Sequence, residues 1–316
     1  MNSFSAGVVT SLDRIWGKRP ETGGARGSRG AARFRRLRLI LEVSAIAVLA
    51  SGAAARATDI STCGTIISKP GFYQVTQNLS ASSGDCIDVN APHAIIFLNG
   101  HQISGGGSGV GLKFSARANH SFVEGGNANI SGFAIGVEND APFVHGDNFN
   151  ANGNATGGLL VSGAQNSTFS NFQASSNGSY GVRFLATSSA VAESAQASGN
   201  GNYGIWLDGA SGVRIDNFDT EQNASAGVYV GCSSSGPGSA CSGAKHNNIA
   251  NQIYDGFADG NGPYGVAIDA NAAGNIVTAV ESMNNRSADM IDFGKCGTSS
   301  WFGNAFASAT PNGCIN

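Results

Sequence analysis

Charge is sparse in this chain. Only 12% of its 316 residues are Asp, Glu, Lys or Arg, against 41% apolar. That balance excludes a disordered acidic or basic tail. Residues 1–57 hold ten Lys or Arg against three acids, while the remainder holds eight against eighteen, about −10 by count. The body therefore lacks the basic stripe that nucleic-acid binding requires, so no nucleic acid is expected as a partner. It would also repel a polyanionic polymer unless a cation bridged the two. No apolar run beyond residue 57 is long enough for a membrane-spanning helix, so no transmembrane span is expected in the mature chain. None of the six cysteines shows the C-x-x-C spacing of a zinc or redox site, and none of the five histidines pairs at metal-ligand spacing. A nucleophile elbow, a phosphate loop and a dinucleotide fingerprint are all missing.

The basic start reads as targeting. Arg33, Arg35, Arg36 and Arg38 precede an apolar run from Leu39 to Ala54, and Ala55-Arg56-Ala57 supplies an A-x-A cleavage site. The expectation is a basic leader and signal peptide over 1–57, with the mature chain beginning near Thr58. A membrane anchor is the alternative, but the run is shorter than the ~20 residues a spanning helix needs. All six cysteines follow this leader. An even number behind an export signal points to an oxidising compartment: secreted, periplasmic or cell surface. Sequence permits many connectivities. The sequential pairing Cys63–Cys86, Cys232–Cys241 and Cys296–Cys314 is expected because each pair would close a local loop or an end of the chain's repeats.

What the sequence has in abundance is a repeat. Asn154, Asn177, Asn200 and Asn223 recur at intervals of 23, and Asn261 continues the series after one insertion. Each precedes by four residues a tetrapeptide Gly-apolar-X-apolar: Gly158-Leu-Leu-Val161, Gly181-Val-Arg-Phe184, Gly204-Ile-Trp-Leu207, Gly227-Val-Tyr-Val230 and Gly265-Val-Ala-Ile268. This periodicity predicts a solenoid whose coils bury their apolar faces only against their neighbours. Stacked coils lie about 4.8 Å apart, so identical side chains sit above one another and the asparagines hydrogen-bond along the stack. Phe149, Phe172 and Phe218, with Ala195 on the intervening rung, form a second inward column. Residues 58–92 read as an N-terminal cap, 93–295 as about eight or nine β-coils of about 23 residues, and 296–316 as a C-terminal cap. The fold class is all-β.

These repeats, with Gly204-Ile-Trp-Leu207, Gly212-Val-Arg-Ile215 and Asn223, and the opening segment Cys63-Gly-Thr to Gly71-Phe-Tyr73, Cys86-Ile-Asp-Val89 and Phe97-Leu-Asn-Gly-His101, resemble the secreted right-handed parallel β-helix proteins of the pectate-lyase-like superfamily. The resemblance covers about 58–295. It implies the fold, and a polysaccharide partner for which members are lyases, hydrolases, epimerases or non-catalytic adhesins. The enzyme signatures are absent: neither the Asn-Thr-Asp and Gly-His-Gly combination of polygalacturonases, nor the Arg-x-Pro-x-x-Arg segment of classical pectate lyases, nor the Asp-Pro-His-Asp of alginate epimerases occurs. No catalytic residue carries over.

Candidate chemistry comes from position X, which alternation turns away from the core. In successive coils it is Leu160, Arg183, Trp206, Tyr229 and Ala267. Exposed aromatic faces stack on sugar rings and arginine reads hydroxyls or carboxylates, so Arg183, Trp206 and Tyr229 are the expected substrate-binding residues. The alternative is packing beneath a loop closed by Cys232 and Cys241. Two positions further on lie Ser162, Leu185, Asp208, Gly231 and Asp269, with Asp292 a further 23 residues along. Asp208 and Asp269, two coils or about 9–10 Å apart, are the candidate catalytic carboxylates, at or beyond the limit of an inverting glycosidase pair. Asp269 and Asp292 would be one coil, roughly 5 Å, apart, but the same step of 23 from Val266 gives an inward-pointing Asp289, so the last coil is expected to slip in register. A simple solvated carboxylate face is the alternative. For a lyase, Arg183 or Arg214 would be the base, and Asp216, Asp219 and Glu221 could hold calcium. The polysaccharide-interacting reading, with possible hydrolytic or lytic activity, stands against a structural or adhesive solenoid with no catalysis.

Overall fold

The structure is a computed structural model and describes residues 56–231, 248–311 and 313–316. Residues 1–55 of the leader and the Cys232–Cys241 pair lie outside the described residues. The chain winds into a parallel β-solenoid of about ten turns built on two sheets. One sheet has eleven strands, stacked strictly in chain order from Thr65–Ile67 through Gly157–Ser162, Tyr180–Leu185, Tyr203–Asp208, Ala226–Val230 and Tyr264–Ile268 to Ala288–Asp292 and Ala309–Thr310. The other has fourteen, running from Thr58–Ile60 to Ser300–Phe302. Strands within 58–92 pair in parallel with the coils below them, and the turn count agrees roughly with the eight or nine expected. Among the described residues no helix is long and apolar enough to cross a membrane. Cys63–Cys86 and Cys296–Cys314 are disulfide-bonded.

Alternation decides which side chains enter the core. In the eleven-stranded sheet, Leu159, Val182, Ile205, Val228 and Val266 share one inward column, and Val161, Phe184, Leu207, Val230 and Ile268 share another. The phenylalanine column is buried as expected, with Phe149 stacked on Phe172 at 5.4 Å and Ala195 on the next rung. Burial of this continuous strip is the main stabilising force, because each coil alone exposes both apolar faces.

The asparagine ladder forms as predicted. The amide Nδ2 of Asn154, Asn177, Asn200 and Asn223 donates to the Oδ1 of the next member at 3.2, 3.2, 2.9 and 3.0 Å, ending on Asn261. Each of these oxygens also accepts a backbone N–H from the preceding ladder residue. The extra residues between Asn223 and Asn261 leave the ladder hydrogen bonds unbroken. Glycine recurs in the tetrapeptide for a steric reason. A Cβ at Gly204 would meet the Asn223 Nδ2 at 2.8 Å and the Gly227 carbonyl at 2.6 Å. The ladder also extends further than the strict period of 23 shows. Asn261 N–H donates to Asn285 Oδ1 at 2.8 Å, and a second ladder joins Asn251 to Asn275 at 3.0 Å.

The slip expected in the last coil occurs. The last coil takes 24 residues, so Val266 lies beside Met290 and Ile268 beside Asp292. Asp292 therefore does not continue the Asp269 column. It is buried, and it accepts hydrogen bonds from the Gly294 N–H at 2.8 Å and Trp301 Nε1 at 3.1 Å. Asp289, one of the residues displaced by this step, receives Asn285 Nδ2 and Ser308 N–H and ties the C-terminal segment to the last coil.

Candidate functional site on the outer face of the eleven-stranded sheet

Position X points away from the core, in one register-matched column of Leu160, Arg183, Trp206, Tyr229 and Ala267. The expectation that this column is open to solvent is corrected. Trp206 is 5% exposed and Tyr229 and Ala267 are fully buried. Asp208 and Asp269, expected on a solvated face, are 2% and 1% exposed. The neighbouring outward column carries Tyr180, Tyr203, Ala226 and Tyr264, and the Tyr203 ring packs against the X column. Tyr203 lies 5.1 Å from Trp206 and stacks on Tyr229 at 4.8 Å, and Trp206 and Tyr229 stack at 6.2 Å. The result is a second hydrophobic cluster outside the coil. Alternation identifies which way a side chain points, not what its lateral neighbours cover.

The five candidate residues nonetheless converge. Arg183 lies with its guanidinium carbon 4.0 Å from the centre of the Trp206 ring. Its Nε donates to Asp208 Oδ2 at 3.0 Å, and its Nη2 donates to the same oxygen. Trp206 Nε1 donates to the Gly231 carbonyl at 2.8 Å. Tyr229 Oη donates to Asp269 Oδ2 at 2.6 Å. Burial pushes both Tyr180 and Tyr203 up to about 12, so both phenols stay neutral at physiological pH. For Tyr203 a hydrogen bond with Ser225 pulls the other way, while the charges of Asp269 and Asp208 push it higher. Arg183 is the member that keeps an open side, with 26% of its side chain exposed.

Gly231 has a steric role in this site that its place in the carboxylate column does not announce. It occupies the rung between Asp208 and Asp269 in their column. A Cβ there would meet Asp269 Oδ2, the Tyr229 ring and its hydroxyl, each at 2.3 Å. The missing side chain lets the tyrosine–carboxylate pair lie flat against the sheet. The available signal was a glycine where each neighbouring rung carries a larger side chain.

The other sequence candidates do not join this site. Arg214 lies on a strand of the fourteen-stranded sheet, pairs with Asp216 and sits 5.5 Å from the Tyr254 ring. Arg183 and Arg214 are thus on different sheets and cannot serve one substrate position. Burial, then Asp259, raises the Asp219 carboxyl. Among the described residues no three His, Cys, Asp or Glu side chains are placed to hold a metal ion, so Asp216, Asp219 and Glu221 do not form the calcium cluster anticipated.

No curated protein matches the chain in sequence. Among solved structures, the Dettilon tailspike protein (gp208) is similar with a TM-score of 0.51 and 12% identity, over 80% of this chain and 54% of that one. The chain thus spans about half the tailspike's length. The Azotobacter vinelandii mannuronan C-5 epimerase AlgE6 A-module (TM-score 0.48, 15% identity, 81% and 71% covered) and the periplasmic alginate epimerase AlgG (0.45, 13%, 77% and 76%) are more distant. At such identities the likeness concerns the fold alone. Residues 127–280 match the family described as a right-handed beta helix region. With two parallel sheets stacked in chain order and a continuous asparagine ladder, this chain is a right-handed parallel β-helix protein.

Proposed function

We propose that this is an exported protein that binds polysaccharide along the outer face of the eleven-stranded sheet. In this reading Arg183 is the contact residue, and Asp208, Trp206, Tyr229 and Asp269 form the rigid floor that aims it. One observation carries the proposal: a partly open guanidinium held in a fixed orientation by an aromatic face and a buried carboxylate. An arginine fixed in this way presents its remaining donors in a planar fork suited to paired sugar oxygens, with little side-chain entropy left to lose on binding. A solenoid offers it an extended surface, the shape a polymer needs. The resemblance to pectate-lyase-like proteins supports the same partner. The disulfides and the basic, apolar leader support export. Asp208 and Asp269 act here as orienting groups, because each engages a neighbouring side chain, Arg183 and Tyr229.

A second reading has its own support. Burial of Trp206 and Tyr229 is also what a purely structural outer cluster requires, as in a non-catalytic structural or adhesive solenoid. Truncating Trp206 does not separate the two readings, since emptying a buried tryptophan site costs about 3–5 kcal/mol in either case. Removing Arg183 alone would take a hydrogen-bonded cation from the buried Asp208 carboxylate, a costly change. The paired replacement Arg183→Gln with Asp208→Asn removes both charges and keeps hydrogen-bonding shapes. Retention of the whole protein and of this variant in gels carrying a polysaccharide panel is the test, with melting temperatures measured alongside. The binding reading expects retention of the parent and its loss in a variant that still melts within a few degrees. Equal retention of both proteins would refute the role of Arg183.

A further inference from the structure

The open part of the same face has an electrostatic character that selects among polysaccharides. Above Arg183 the X column runs, rung by rung, through Leu160, Glu138, Lys113 and Asp88 to Ile66. Asp140 stands two positions further along the strand direction from Glu138, and Asp85 lies beside Asp88. Among the described residues this stretch holds two cations, and both are neutralised within the face. Lys113 Nζ is 3.0 Å from Glu138 Oε1 and 3.8 Å from Asp140 Oδ2, and Arg183 is paired with Asp208. Acids therefore outnumber bases. The residual field acts on the carboxylates themselves: Asp88 is raised by burial and then by Asp85, and Asp140 by burial and then by Glu138, although Lys113 pulls both down.

A polymer carrying a negative charge on every sugar would meet this face at a like-charge disadvantage, which suppresses binding rather than merely failing to help it. A bridging divalent cation would relieve that, but among the described residues no three His, Cys, Asp or Glu side chains are grouped to hold one. Neutral sugars have the complementary chemistry. Their hydroxyls donate to carboxylates and accept from the paired guanidinium and ammonium without disturbing either ion pair. We infer that the polysaccharide this face accepts is neutral, built of hexose or pentose units without carboxylate or sulfate groups. This inference rests on the polysaccharide reading above.

The experiment measures retardation of the whole protein in gels containing neutral glucan or xylan, or the polyuronates polygalacturonate or alginate, at low and high salt. The variant Glu138→Gln with Asp140→Asn, which releases Lys113 from both carboxylates at half-exposed positions, is run beside it. The expected result is retardation by a neutral polymer, little changed by salt, with none by the polyuronates. The variant should gain polyuronate retardation of about tenfold at low salt, the size of one favourable charge contact, and lose it at high salt. Retardation of the parent protein by a polyuronate in preference to neutral polymers overturns the inference while leaving polysaccharide binding intact. A variant with no such gain also counts against it, because charge would then not be what excludes polyuronates. No retardation by any polymer overturns the polysaccharide reading, and this inference falls with it.

Discussion

Replacing Asn200 by alanine isolates the contribution of one rung of the ladder. The Asn200 side chain takes part in three hydrogen bonds. Its Oδ1 accepts the Asn177 N–H at 2.9 Å and the Asn177 Nδ2 at 3.2 Å, and its Nδ2 donates to Asn223 Oδ1 at 2.9 Å. The two sides of the rung do not suffer equally. Asn223 Oδ1 keeps the backbone N–H of residue 200, so its acceptor remains satisfied. On the other side the buried Asn177 N–H and side-chain amide lose their acceptor. An orphaned buried donor costs about 1–3 kcal/mol, so the substitution should cost about 3–5 kcal/mol. For a domain of this size each kcal/mol lowers the melting temperature by roughly 2–4 °C, giving a drop on the order of 10 °C. Asn202, two residues on in the same coil, is the internal control. It is exposed, its side chain donates only to Ser179 Oγ at 3.2 Å, and its alanine variant should stay within about 0.5 kcal/mol of the parent. Thermal unfolding followed by far-ultraviolet circular dichroism reads both. If Asn200→Ala melts with Asn202→Ala, the ladder is ornamental and the account of what holds the coils together is wrong.

Further predictions concern the site and the C-terminal segment. Gly231→Ala drives a methyl into the Asp269 carboxylate and the Tyr229 ring. It should disrupt their hydrogen bond and lower stability by about 1–3 kcal/mol, as overpacking does, whereas Gly163→Ala meets no atom within 4 Å and is limited only by its positive φ. At Asp289, burial alone would raise the carboxyl. The hydrogen bonds from Asn285 and Ser308 outweigh it and hold the group below its ordinary value. A carboxyl lowered in the folded state contributes stability that is complete above its unfolded pKa, about 3.9, and is lost as pH falls through the folded value. The stability difference between the parent and Asp289→Asn should therefore be largest near neutrality and shrink in acid. Taking this difference is necessary because Asp88, Glu124, Asp140 and Asp219 are all raised and work in the opposite sense. A difference that grows on acidification would contradict the assignment.

The fold was legible because its determinants are periodic and local. The spacing of 23 from Asn154 to Asn223 and the Gly-apolar-X-apolar strands encode both inward columns directly. The places where reading stopped are places where period or lateral packing changes. Asn285 continues the ladder off the strict period because the last coil lengthens by one residue, a step whose only sign in the sequence is the inward-pointing Asp289 that a period of 23 would give. Asn251 and Asn275 were missed because their partners follow the insertion. Arg183, Trp206, Tyr229, Asp208 and Asp269 lie on one face, since stacking at one register makes neighbours of equivalent positions. Their burial was legible only as the alternative of an aromatic column packed beneath its surroundings. Tyr203, which packs against Trp206 and Tyr229, belongs to a different column and crosses over laterally through a side-chain conformation that no spacing rule reports.

The central claim is that polysaccharide engages the Arg183 face, and Trp206 is the natural reporter because the guanidinium lies on its ring. The direct measurement is tryptophan fluorescence of the whole protein titrated with a neutral polymer, compared with the Trp206→Phe variant, which conserves the aromatic packing. The account predicts a saturable change in the parent that disappears in the variant, while Trp301, buried and bonded to Asp292, contributes nothing. A flat titration in the parent, or a signal that survives Trp206→Phe unchanged, would contradict it.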